Sequence, residues 1–149
     1  MAVSRAMRRV LRVRQMEEEM SQGELEEAVG SLRRLEAALD RAGKREREGR
    51  RQVTASAGTG EVIARVAGIE EMRAGRRHKE ALQPRIAETE REVAARRAEF
   101  LARRTERRQV ETLIQKKEAE DRLEDGRRAQ RELDDWFLTR TEGFGSKKG

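Results

Sequence analysis

His78 is the single histidine and there is no cysteine, so a zinc or haem centre has almost no side chains to draw on. Gly43-Lys44 looks superficially like the end of a phosphate-binding loop, but Ala38 stands where the loop needs its first glycine. Arg45 occupies the place of the Ser or Thr that would hold magnesium, and the surrounding pattern is helical. Ser56-Ala57-Gly58-Thr59-Gly60 has two glycines but neither a lysine nor a preceding strand, so it reads as a connection. Carboxylates are abundant, yet on a thin helical chain they are solvated and no dry pocket raises a pKa for acid–base work. The expectation is a non-enzymatic chain with no catalytic residue, no cofactor and no metal.

Arginine offers a second kind of chemistry. Arg5, Arg8, Arg9, Arg12 and Arg14 form an acid-free stretch, and Arg73 to Arg77 is also arginine-rich; both could meet phosphates. Elsewhere the two charge signs interleave, and tyrosine is absent, so single strands have no stacking platform of that kind. A basic-region zipper would also lack a turn in mid-chain. A solvated coiled-coil face is the better reading, with a basic nucleic-acid-binding coiled coil as the alternative from another class; no nucleic acid is expected as partner.

The elements that carry these residues follow from composition. In 149 residues, 43% are charged, while Val, Ile, Leu and Phe number only 27, too few to build a sizeable globular core. The 35 basic and 29 acidic residues nearly balance, which argues against simple disorder. Ala, Glu, Lys, Leu and Arg make up 89 residues, the composition of long helices and coiled coils. No apolar run is long enough to cross a bilayer, and the arginine-rich start has no apolar core behind it, so neither membrane insertion nor a secretory signal is expected.

Leu25, Leu32 and Leu39 recur every seven residues, with Leu35 and Ala42 three positions on, which is a coiled-coil seam. Upstream, Val3, Ala6, Val10, Val13 and Met20 form a second set about one position out of phase, predicting a local change of winding across 17–23. Gly58 can take the left-handed conformation that closes a helix, and Thr59 can cap the next. Val62, Val66 and Ile69 then open a second helix. Ile86, Val93, Phe100 and Ile114 share one seven-residue register with Arg107 filling the gap, and Leu82 and Val110 take the alternate positions. Pro84 should kink or loosen that helix. Glu46→Arg50, Glu92→Arg96, Glu99→Arg103, Glu118→Arg122 and Glu124→Arg128 all place the acid four residues ahead of the base, each favouring a solvated helix by a few tenths of a kcal/mol.

The fold class is therefore all-α: a long two-helix antiparallel coiled-coil hairpin with a C-terminal helix overhang. The expected bounds are one domain over 1–149, with helix one at about 3–55, a turn at 56–60, helix two at about 61–139 and a flexible tail at 140–149. Folding at Gly58 brings residue i opposite about 115 − i, so Val10 lies near Thr105 and Leu32 near Gln83 and Pro84. The overhang carries a sparse seam of its own, Leu123, Gln130 and Phe137 with Leu133 between. Arg96, Arg103, Arg107 and Lys117 fall on nominal core positions, which makes the hairpin marginal without a partner.

Three stretches carry a family resemblance. Val10-Leu11-Arg12-Val13-Arg14-Gln15-Met16-Glu17-Glu18-Glu19 is similar to the opening leucine–arginine–glutamate run of the FliJ family of flagellar export proteins. Arg107-Arg108-Gln109-Val110-Glu111-Thr112-Leu113 resembles that family's basic run leading to a leucine–glutamate step. Arg128-Ala129-Gln130-Arg131-Glu132-Leu133-Asp134-Asp135 resembles its closing pattern, and is the most specific of the three. The resemblance covers almost the whole chain.

It implies a stalk-like component of a flagellar type III export apparatus, or of the related virulence-type secretion system, similar in shape to the central stalk of rotary ATPases. The implied partners are the export ATPase hexamer, the membrane-embedded export gate protein and, in some members, export chaperones. The implied location is cytoplasmic, peripheral to the inner membrane. The residues it assigns to the ring are Arg8, Val10, Arg12, Gln130, Leu133, Asp134 and Asp135, to which Trp136 is added as an interface anchor, since aromatic side chains are frequent hot spots. Trp136-Phe137 follows the acidic pair where the family more often has small or aliphatic residues. The mid-helix aromatics that meet the gate are absent, and Ile69, Met72 and His78 occupy that region.

Overall fold

The computed structural model describes residues 3–146, and nearly all of them lie in two helices, α1 (Arg5–Thr59) and α2 (Val62–Ser146). The fold is all-α, two long helices packed against each other as an antiparallel hairpin, with no strand among the described residues. Helix α1 begins at a serine cap that the sequence reading did not mark: the Met7 amide donates to Ser4 Oγ at 3.2 Å, satisfying one of the open donors of the first turn. The connection is tighter and later than 56–60. Gly60, not Gly58, takes the left-handed conformation with φ 73°, and its amide donates to the Ser56 carbonyl at 2.9 Å. Thr59 does not cap α2; it is the last residue of α1, and its hydroxyl donates back to Ser56. Helix α2 continues across Pro84 and past 139 to Ser146; the rest of the expected tail, 147–149, lies outside the described residues.

The chain divides into two compact units, Met1–Glu17 with Arg103–Gly149, and Glu18–Ala102. In the second, the residues of α1 most covered by α2 recur every seven positions as Ser21, Ala28, Ala42, Gly49 and Ser56, with half-buried Leu35 completing the count. Leu25, Leu32 and Leu39 flank them half-buried. The facing side is Gly68, Gly75, Leu82 and Val93, with Ile86 and Phe100 half-buried. Much of this seam is small, so the two backbones touch. A methyl on Gly49 would run into the Met72 nitrogen and come within 2.6 Å of the Gly68 carbonyl oxygen; one on Gly75 would come within 2.6 Å of the Glu46 nitrogen. Glycine inside a helix costs about 1 kcal/mol relative to alanine, and close backbone approach is the physical return for it here.

In the other unit the covered positions are Val3, Met7, Leu11, Arg14 and Glu17 against Arg103, Arg107, Val110 and Ile114. Val10, Val13 and Met20 are exposed, so the second upstream seam does not form and no phase change is needed: positions 7 and 14 keep the seven-residue count of 21, 28 and 35. The apolar valines lost to polar residues on the seam because Arg14 and Glu17 are satisfied there. Arg14 donates to Glu106 at 3.2 Å and Arg103 to Glu17 at 3.3 Å. In the 18–102 unit Arg96 donates to Glu24 at 2.9 Å.

These contacts also fix the pairing. Residue i faces about 120 − i, five residues away from the expected 115 − i, because the chain reverses at Gly60 and not at Gly58. Val10 therefore lies level with about 110 and not 105. Glu46–Arg50 and Glu124–Arg128 form within their helices as expected, whereas Arg96 and Arg103 turn to Glu24 and Glu17 on the facing helix. That explains how arginine is held at core-like positions: the carboxylate arrives from across the seam while the rest of each side chain stays partly in water.

Candidate partner-binding surfaces

In the unit containing the later part of α2, the helix loses its cover after Asp121, and residues 122–143 are exposed. An exposed helix should show a polar surface all round. This one instead spaces Ala119, Leu123, Gly126, Gln130, Leu133 and Phe137 four and three apart, which lines them along one face. Leu123 is 62% exposed, Leu133 52% and Phe137 61%. The stripe is not a continuation of the seam with α1. Ala119 is five residues beyond the covered Ile114, a turn of about 140° around the helix, so the stripe and the seam look in different directions.

Gln130, Leu133, Asp134, Asp135 and Trp136 are all exposed here. Gln130 Nε2 donates to Asp134 Oδ1 at 3.2 Å, which orders the polar edge of the stripe. Trp136 meets Phe137 edge-on, ring centroids 5.2 Å apart at 82°, and the Arg140 guanidinium sits 4.9 Å over the indole. The indole is thus both packed on its own helix and 52% exposed, a partly organised aromatic–cation cluster at the edge of the stripe. Leu123, Phe137 and Arg140 were not singled out as site residues from sequence; the signal for the first two was the four-three spacing, while for Arg140 it was its place four residues after the tryptophan.

The amino-terminal half of the expected ring surface, Arg8, Val10 and Arg12, is exposed as well but stands elsewhere. The pairing puts these residues level with about 108–112, so Gln130 lies some eighteen or more residues further along α2, on the order of 30 Å at the α-helical rise. The two halves form two patches and not one.

In the 18–102 unit, Ile69 and Met72 are half-buried toward α1, Met72 directly beside Gly49, whereas His78 is exposed. The three do not share one surface. Gly43 and Lys44 lie well inside α1, on continuous helix with no loop to cradle a phosphate. A polar node lies nearby. Glu46 is 7% exposed and receives Lys79 Nζ at 3.1 Å, Arg50 at 3.4 Å and Arg76 at 3.5 Å. The Lys79 hydrogen bond, aided by the charges of Lys79, Arg76 and Arg50 and opposed by burial, holds its carboxyl below the ordinary value. Glu71 is lowered in the same sense by two hydrogen bonds from Arg45, at 2.7 and 3.1 Å.

Two packed helices, the second bearing a separate stripe of exposed apolar residues, define a coiled-coil hairpin protein. The family model described as flagellar FliJ protein matches residues 4–141, and the chain belongs to that family, whose members are non-catalytic components associated with the flagellar export apparatus. No curated protein and no solved structure matches it.

Proposed function

We propose that the protein is the stalk-like component of its export apparatus, cytoplasmic and peripheral to the inner membrane, and that it lodges in the ring of the export ATPase. There it promotes assembly and turnover of the ring and couples it to the membrane gate, with export chaperones as further clients. The observation that carries the reading is the exposed stripe Leu123–Gln130–Leu133–Phe137 with Trp136 at its edge, on helix that its own partner helix leaves uncovered. Exposed apolar surface of this regularity marks an interaction site, and an amphipathic helix supplies anchors at such spacing to a groove. Gln130, Leu133, Asp134, Asp135 and Trp136 make the main contact. Arg8, Val10 and Arg12 form a second contact further along, which a deep ring can meet together with the first. Of Ile69, Met72 and His78, only His78 is exposed for a gate contact, Ile69 and Met72 being half-buried.

The test is to add the purified full chain to its cognate export ATPase. The expected result is complex formation with faster ATP hydrolysis, both lost in Leu133→Asp. Neither binding nor a change in hydrolysis by the unmodified chain would overturn the proposal.

A further inference from the structure

Around the reversal of the chain the charge pattern breaks. Residues 52–69 carry two charged side chains, Glu61 and Arg65, in a chain that is 43% charged. They form the tip of the 18–102 unit, and the tip is apolar on its outside: Ile63 is 87% exposed, Val62 67% and Val66 55%. Val62 and Val66 open the second helix as expected and face solvent. Around them Ala55, Ala57, Gly58, Gly60 and Ala67 are exposed too, so small residues surround the valines and isoleucine, with Thr59, Glu61 and Arg65 the exposed polar side chains nearest in sequence.

Directly behind the tip, the facing segments 41–51 and 70–80 carry ten lysines and arginines against five glutamates. Arg47, Arg50, Arg51, Arg73, Arg76 and Arg77 are all exposed. Glu46 offers one negative charge to Lys79, Arg76 and Arg50 together, which leaves that node net positive. The belt is not confined to one flank. Arg45, joined to Glu71, and Arg50, beside Glu46, are five residues apart on α1 and so point about 140° from each other.

We propose that this tip is a shallow membrane-contact site, taking an anionic lipid surface end-on. An apolar cap with a positive collar is the pattern by which peripheral proteins enter the headgroup region, burying apolar groups about 5–10 Å deep while basic groups meet anionic lipids. The lengths agree. Ile63 and Val66 lie three and six residues from Gly60, about 5–9 Å along the helix, and Arg51 lies nine residues away on the other arm, about 14 Å. Arginine's long stem closes the remaining gap to the phosphates, and Arg65 reaches back toward them in the same way. A protein groove would be met by one flank; charge distributed around the helix pair fits a plane approached tip-first. The contact spans nothing. It departs from the expectation of no direct membrane insertion, because a search for a long apolar run detects crossing segments and not an apolar end assembled from two helix termini.

The test is co-sedimentation of the full chain with phosphatidylcholine vesicles, and with the same vesicles containing one-third phosphatidylglycerol. Binding to the anionic vesicles at least about tenfold stronger than to the neutral ones is expected, since each basic residue near such a surface contributes about fivefold. Ile63→Asp with Val66→Asp should lower it about tenfold or more, and Arg51→Gln with Arg65→Gln, the arginines nearest the tip, about twentyfold. All four side chains are exposed, and an unchanged far-UV circular dichroism spectrum checks that the variants fold. Arg91→Gln with Arg97→Gln, exposed on α2 away from the tip, should change nothing. Equal binding to both vesicles, no binding to either, or binding that survives the tip variants or falls as far in Arg91→Gln with Arg97→Gln would each overturn the proposal. So would a tip that ignores vesicles while Ile63→Asp releases the chain from the assembled export apparatus, which would give the tip a protein partner. The ATPase is absent from the vesicle assay and the tip variants leave the overhang unchanged, so its failure and the failure of ring docking are read separately.

Discussion

Replacing glycine by alanine inside a helix should stabilise it, and in α1 that rule is expected to hold at one position and reverse at another. At Gly23 nothing lies within 4 Å of the added methyl, so Gly23→Ala gains the helix propensity difference, about 1 kcal/mol. At Gly49 the same methyl meets the Met72 nitrogen and the Gly68 oxygen at 2.6 Å, both main-chain atoms of α2 that no rotamer can move aside. Restoring ordinary contact requires the helices to part by close to 1 Å, and a gap of that size forfeits roughly a quarter to a half of each dispersion contact beside it. Overpacking of this kind costs about 1–3 kcal/mol, which matches or outweighs the propensity gain. Gly49→Ala is therefore expected to be destabilised by up to about 2 kcal/mol net, and Gly23→Ala to be stabilised by about 1 kcal/mol. For a chain of this length the two should separate in Tm by several degrees, at about 2–4 °C per kcal/mol. Thermal and urea unfolding followed by far-UV circular dichroism reads both. If Gly49→Ala proves as stable as Gly23→Ala, the backbones are not in contact and the account of the small-residue seam is wrong.

Three further outcomes follow. Glu46 and Glu71 have folded-state pKa values below their ordinary 4.5, so their contribution to stability is complete above that value and disappears as pH falls through the lowered ones. Tm should decline below about pH 4.5, and the decline should be shallower in Glu46→Gln with Glu71→Gln; an unchanged acid profile would remove both pairs as its cause. The Glu17–Arg103 bridge has both side chains about one-third exposed, so a double-mutant cycle should return only about 0.2–1 kcal/mol, and a coupling of several kcal/mol would mean a drier seam than described. Trp136 is the single tryptophan and half-exposed, so its emission should shift to the blue when the export ATPase is added; an unchanged spectrum in a demonstrated complex would take the tryptophan out of the interface.

Much of this molecule was legible in its residues because coiled coils are specified locally. Seven-residue spacing names the seam without knowledge of what it packs on, which is why Leu82, Ile86, Val93 and Phe100 were placed correctly, and why the exposed Leu123, Gln130 and Phe137 could be read as a seam lacking a partner. The FliJ family was visible for the same reason, in the closing Gln130–Asp135 stretch. Where the chain turns, and hence which residues face each other, was decided by tertiary structure: Gly58 and Gly60 are equally able to adopt a positive φ, and packing selects between them. Hydrophobicity also misled at Val10 and Val13, because a polar pair satisfied across the seam, such as Arg14 with Glu106, can displace a valine from it. Glycine was the least readable residue of all. Gly23 and Gly49 look alike in sequence, and only the approach of the second helix separates the one that is open to substitution from the one that fixes the distance between the helices.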